Sequence, residues 1–127
     1  MSADFADDGV VASGVCVVEV AEAERLLAGP GGPWSDAELL YARERVDPAR
    51  RLAARLAAKR AACRLLGGDA AERDVEVRRG AFGPPSLRLA GAAGARMRAL
   101  GASRALVSLT HERTLAAALV VLVRETP

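Results

Sequence analysis

The run from Arg51 to Gly68 constrains this chain more than any other stretch. At helical pitch, Leu52, Leu56, Cys63 and Leu66 fall on one apolar stripe, with alanines filling the turns between them. Lys59 lies inside that stripe and Arg55 at its edge. A surface helix sets its cations on the opposite side, where their heads stay hydrated. Two cations one turn apart on the core-facing side need either stems that snorkel past a neighbour or an anion waiting there. The second reading makes this helix the wall of a phosphate site.

One domain has to enclose that helix. A chain of 127 residues is long enough for a single core, expected over residues 9–127. Residues 1–8 read as a flexible acidic tail with three aspartates and no basic, apolar leader pattern, so a cytoplasmic protein is expected. Alanine dominates the apolar half of the chain and aromatics are scarce, so the core is thin in large side chains and stability leans on a subunit interface. A formal net charge of only +2, with both signs interspersed, argues against a nucleic-acid partner. The apolar run Leu115 to Val123 is too short to span a bilayer. Cys16 and Cys63 lack a C-x-x-C spacing and read as reduced thiols.

The elements follow from local chemistry. Val10 to Val20 is a β-branched strand, Ala21 to Ala28 a short helix stopped by the Gly/Pro cluster of residues 29–33. Ser35 caps the next helix, with Glu38 completing a capping box, and that helix runs to about Val46. Pro48 opens the long cationic helix, which Gly67 and Gly68 end. Strands are expected over Asp74 to Arg79 and Ser86 to Leu89, a helix over Ala92 to Leu100, and a hairpin of Arg104 to His111 with Leu115 to Arg124. The order β-α-α-α-β-β-α-β-β is that of an α+β fold with mainly antiparallel pairing.

Five segments of the chain, in the same order, resemble the motifs of the holo-acyl-carrier-protein synthases, the small phosphopantetheinyl transferases. Gly14 to Glu19 resembles their opening G-x-D-x-x-E, and Trp34 to Leu39 their F-T-x-x-E-L. Arg55 to Ala61, RLAAKRA, is similar to R-F-A-A-K-E-A. Asp74 to Val77 with Gly83 to Pro85 resembles the D-I-E-[VI] strand and G-K-P loop, and Val107 to His111 the closing V-S-[IL]-[ST]-H strand. The resemblance implies a phosphopantetheinyl-transferase-like fold, assembled as a homotrimer with coenzyme A between subunits. It implies transfer of the phosphopantetheine arm to a serine of an acyl carrier protein, with magnesium held by the motif Asp and Glu. By the same resemblance Arg55, Lys59, Ser108 and Gly83 are expected at the coenzyme, His111 in its pocket, and Arg25 where the carrier protein docks.

Two departures fall on the metal ligands. Cys16 replaces the motif Asp and Arg60 the motif Glu. Magnesium wants hard carboxylate oxygens; a thiol is a poor ligand and a guanidinium repels it, so no magnesium is expected. A thiol and an arginine are more positive than two carboxylates with one magnesium, which keeps attraction for a pyrophosphate and leaves Arg60 to grip it. The sequence therefore reads as a divergent member that recognises a carrier protein, coenzyme A or a carrier-bound acyl intermediate, with magnesium-dependent transfer weakened or lost. Recruitment to another step of fatty-acid or polyketide-type biosynthesis stays open, with His111, Glu19 and Cys16 as acid, base and nucleophile candidates. The alternatives are an active transferase and a non-catalytic trimeric scaffold. Each residue also has a plain reading: Cys16 as a small core hydrophobe, Arg55 and Lys59 as snorkelling cations, and His111 as a surface residue.

Overall fold

Strand β1 (Val10–Glu19) follows from its alternation: Cys16 and Val18 turn inward while Val15, Val17 and Glu19 face out. A computed structural model describes residues 9–79 and 83–124; the expected acidic tail, part of the G-P-P loop region (residues 80–82) and residues 125–127 lie outside them. Helix α1 (Val20–Ala28) starts directly at the end of β1 and stops at Gly29. Helix α2 (Asp36–Arg43) has the expected capping box, with Ser35 Oγ accepting from the Glu38 N–H and Glu38 Oε1 accepting from the Ser35 N–H. It ends three residues short of Val46, because the Arg45 N–H turns back to the Ala42 carbonyl. Helix α3 (Pro48–Leu66) is the long cationic helix, with Pro48 in its first turn.

A 3-10 turn (Glu72–Asp74) then leads into β2 (Val75–Arg78), so Asp74 and Arg79, expected within that strand, lie outside it. Strand β3 (Ser86–Leu89), helix α4 (Gly91–Ala99), β4 (Arg104–His111) and β5 (Leu115–Val123) complete the described chain. The five strands form one antiparallel sheet in the order β1-β5-β4-β3-β2. The α+β class and the element order agree with the sequence reading.

Helix α3 is the centre of the molecule. One side packs on β1 and β5, and α1 and α2 cover others. Every residue from Leu52 to Lys59 is buried, so the single stripe read from the sequence is too narrow. Alanines explain this: Ala53, Ala54, Ala57, Ala58, Ala61 and Ala62 all lie in the core, where a side chain of one carbon lets neighbouring elements approach from several directions. Cys63, read as core, is half-buried at the edge. Gly14 serves the same close approach from the sheet side, since a Cβ there would sit 3.1 Å from Leu65 Cδ2. The Trp34 indole closes the far side, donating to the Leu52 carbonyl at 2.9 Å.

Candidate functional site

The anion that the helix pattern calls for is supplied by the chain itself. Lys59 Nζ lies 2.8 Å from Glu38 Oε1, with both side chains shut off from solvent. The same ammonium donates to the Val75 carbonyl and, at 3.5 Å, to the Glu72 carbonyl. Glu38 Oε2 accepts from the Val77 N–H at 2.9 Å. Lys59 thus has a partner for each of its three donors and ties α3 to α2 and to the entry of β2; a phosphate at this residue would compete with a buried ion pair. The capping box had accounted for the Glu38 carboxylate, which hid its second role.

Arg55 behaves differently. Only 3% exposed, its guanidinium lies 4.3 Å from the centre of the Tyr41 ring, with Arg45 over the same ring at 4.2 Å. Arg55 donates to the Arg51 carbonyl at 3.3 Å, while its buried Nε has no hydrogen-bond partner among the described residues. It borders a cavity of about 390 Å³ with Tyr41, Glu76, Arg78 and Arg79. Burial pushes the Arg55 pKa down, opposed by Tyr41 and Glu38. A group this strongly desolvated and incompletely paired gains from an incoming anion. Of the expected phosphate ligands, Arg55 retains a donor to offer.

Arg60 is held in a clasp. Its two terminal nitrogens donate to both oxygens of Glu22 at 3.0 and 2.6 Å, and Nε lies 3.6 Å from Glu72 Oε2. The hydrogen bonds to Glu22 push the Arg60 pKa up, and those same bonds hold the Glu22 carboxyl below its ordinary value. Cys16, buried at 3% exposure, lies within electrostatic reach of this guanidinium. The charge balance read from the sequence omitted Glu22 and Glu72, the two carboxylates that face Arg60, and Arg25, which acts on Glu22. A sulfhydryl and a paired guanidinium stand at the two motif positions, and neither is a hard oxygen donor of the kind magnesium takes. Among the described residues no group of three or more His, Cys, Asp and Glu side chains is disposed to hold a metal.

Strand alternation decides the rest. Cys16 turns toward α3, whereas Glu19 faces outward and borders a cavity of about 570 Å³ with Asp47, Arg50, Arg113 and Thr114. On β4, Ser108 is exposed on the outer face with Leu106 and Thr110, while half-buried His111 is on the helix side with Val107 and Leu109. His111 Nδ1 is buried without a hydrogen-bond partner among the described residues. Burial first, then Arg51 and Arg50, push its pKa below 6.5, with Asp47 opposing. The imidazole is therefore neutral at pH 7. Arg50 and Asp47 belong both to this environment and to the Glu19 cavity, so His111 and Glu19 lie toward the same end of the sheet.

Gly83 has φ +93° with open space around it, so the loop needs glycine for its backbone conformation. Arg25 is exposed in the last turn of α1, a helix that also carries Glu22 and Glu24. Four residues at these sites had escaped the sequence reading in their roles: Glu22, Glu38, Tyr41 and Glu72. The i, i+3 spacing of Glu19 and Glu22 was the available signal for the first.

No family model matches the chain. A holo-acyl-carrier-protein synthase of Anaeromyxobacter sp. (strain K) is 41% identical over 123 residues, covering 89% of this chain and 95% of that protein. The crystal structure of holo-acyl-carrier-protein synthase from Neisseria meningitidis superposes with a TM-score of 0.75 at 25% identity, over 89% of this chain and 98% of that one. A Bacillus anthracis holo-acyl-carrier-protein synthase in complex with CoA (3',5'-ADP) gives a TM-score of 0.73 over 92% of this chain and 99% of that one; at 22% identity it speaks for the fold alone.

Proposed function

The chain belongs to the holo-acyl-carrier-protein synthase family, and from that premise we propose that it recognises coenzyme A and an acyl carrier protein, with magnesium-dependent transfer of the phosphopantetheine arm weakened or lost. The observation that carries this reading is the Glu22–Arg60–Glu72 clasp at the position where the family resemblance puts a metal ligand. Arm transfer cleaves the coenzyme pyrophosphate and moves the phosphopantetheine phosphate onto a serine oxygen. A metal between the two phosphates would offset charge developing on the leaving group, and Arg60 is already engaged by two carboxylates. Losing about 3 kcal/mol of such stabilisation slows the step roughly 100-fold.

Binding has other supports. Arg55 offers a desolvated guanidinium beside a cavity, and neutral His111 with an unpaired buried nitrogen is suited to accept or hand on a proton. The outer face of the sheet supports self-association into the family's homotrimer: exposed Val15 sits opposite exposed Leu119, with Val17 opposite Ala117 alongside. In such an assembly Ser108 and Glu19, both facing outward, lie against a neighbouring copy. Among the described residues no helix is long and apolar enough to cross a membrane. We place its work in the cytoplasm, where carrier proteins are loaded.

A second reading, an active transferase with rearranged chemistry, is favoured by the 41% identity to a protein named for that activity. Incubation of the full chain with an apo acyl carrier protein and coenzyme A, with and without magnesium, separates the two. Intact-mass spectrometry is expected to show slow or absent gain of the arm, unaffected by the metal. Prompt magnesium-dependent conversion establishes the second reading.

A further inference from the structure

Arg60 joins three segments that are distant in sequence. It projects from α3, grips Glu22 on α1 through two parallel hydrogen bonds, and lies 3.6 Å from Glu72 in the 3-10 turn. A cation placed between carboxylates of separate elements does the mechanical work of a bound divalent ion: it cancels their repulsion and fixes their spacing. A guanidinium does so with directional donors that cannot dissociate from the chain.

We infer that Arg60 is a built-in substitute for a divalent cation, so that this part of the protein is held together without metal and is indifferent to it. Two consequences follow. Glu22 occupies the two-pronged edge of the Arg60 guanidinium and Glu72 stands 3.6 Å from its Nε, so a phosphate gripping that edge has to compete with Glu22. Removing the guanidinium leaves Glu22 and Glu72 without the cation between them, beside a cavity of about 400 Å³ that Arg60, Glu72 and Arg73 line. The position then takes a hard divalent cation in place of the lost charge. The inference rests on the family reading only for where a metal would stand, and neither coenzyme nor carrier protein enters its test.

The test uses the full chain, with magnesium chloride alone as the probe against sodium chloride of equal ionic strength. Thermal melts and titration calorimetry of the wild type are expected to show no magnesium-specific rise in Tm and no saturable heat. Arg60→Gln is expected to melt about 4 °C lower and to regain most of that loss in magnesium, with saturable binding that Glu22→Gln in the same background abolishes. Arg60→Lys keeps a cation in place and is expected to stay indifferent to magnesium, which tests the idea even if Arg60→Gln does not fold. Saturable magnesium binding by the wild type overturns the inference. So does an Arg60→Gln protein that folds with an unchanged Tm and no metal response, or an Arg60→Lys protein stabilised by magnesium.

Discussion

Lys59 and Glu38 meet at 2.8 Å inside the core, each with a side chain at most 1% exposed. Glu38 is also the N3 residue of α2 and the acceptor for the β2 backbone at Val77. One carboxylate therefore sets the position of a helix, a strand and the central helix together. Lys59→Met strands that carboxylate without its cation and is expected to cost about 3–5 kcal/mol in urea unfolding. Adding Glu38→Gln is expected to recover part of the loss, since Gln keeps one acceptor and adds no buried charge. A single-variant loss below about 1 kcal/mol would mean that the pair does not organise the core.

His111 gives a pH-dependent signature. Its folded pKa is pushed below 6.5 by burial and by Arg51 and Arg50, so folding favours the neutral ring. Between the lowered folded value and 6.5 the unfolded chain binds more protons, and stability rises with pH across that window. Above 6.5 the effect vanishes, because both states are neutral there. An NMR titration is expected to place the His111 midpoint below 6.5, and Arg51→Gln to move it upward. A midpoint at or above 6.5 contradicts the burial and charge seen around the ring.

The order of elements was legible because each boundary carries its own local signal: Ser35 with Glu38, Pro48, the Gly/Pro break of residues 29–33. The family motifs drew attention to Cys16 and Arg60, the two positions where this chain departs from them. What no local pattern could show is who meets whom across the fold. The Lys59 partner lies 21 residues away on another helix, and the Glu22 and Glu72 partners of Arg60 come from elements before and after α3. A stripe drawn on one helix assumes one buried face, and α3 is covered on several because alanine makes room for neighbours. Strand alternation was readable in advance: Ser108 and His111 are three apart, which sends them to opposite faces.

The outer sheet face carries a prediction about assembly. Val15 and Leu119 are paired across β1 and β5 and are 60% and 41% exposed, an arrangement that costs solvation if left open to water. Leu119→Lys puts a charge in the middle of this face while leaving the inward side untouched. Sedimentation velocity is expected to show the wild type as an oligomer and Leu119→Lys as a monomer with the same far-ultraviolet circular dichroism. A wild type that sediments as a monomer at all concentrations removes the self-association reading.

Acid titration offers an independent view of the Arg60 clasp. The hydrogen bonds from Arg60 hold the Glu22 carboxyl below 4.5, against a smaller opposing effect of burial. For a carboxyl with a depressed folded pKa, the stabilisation is fully present above the unfolded value and disappears as pH falls through the folded one. Both partners are about one-third exposed, so solvent screening limits the contribution to about 1 kcal/mol. Unfolding curves of wild type and Arg60→Gln are therefore expected to differ by about that amount near neutral pH and to converge as the pH falls below 4.5 and through the lowered folded value. Added salt at neutral pH narrows the same gap, because the pair is partly solvated. A gap that stays constant down to the lowest pH would assign the Arg60 contribution to the packing of its stem and not to its charge.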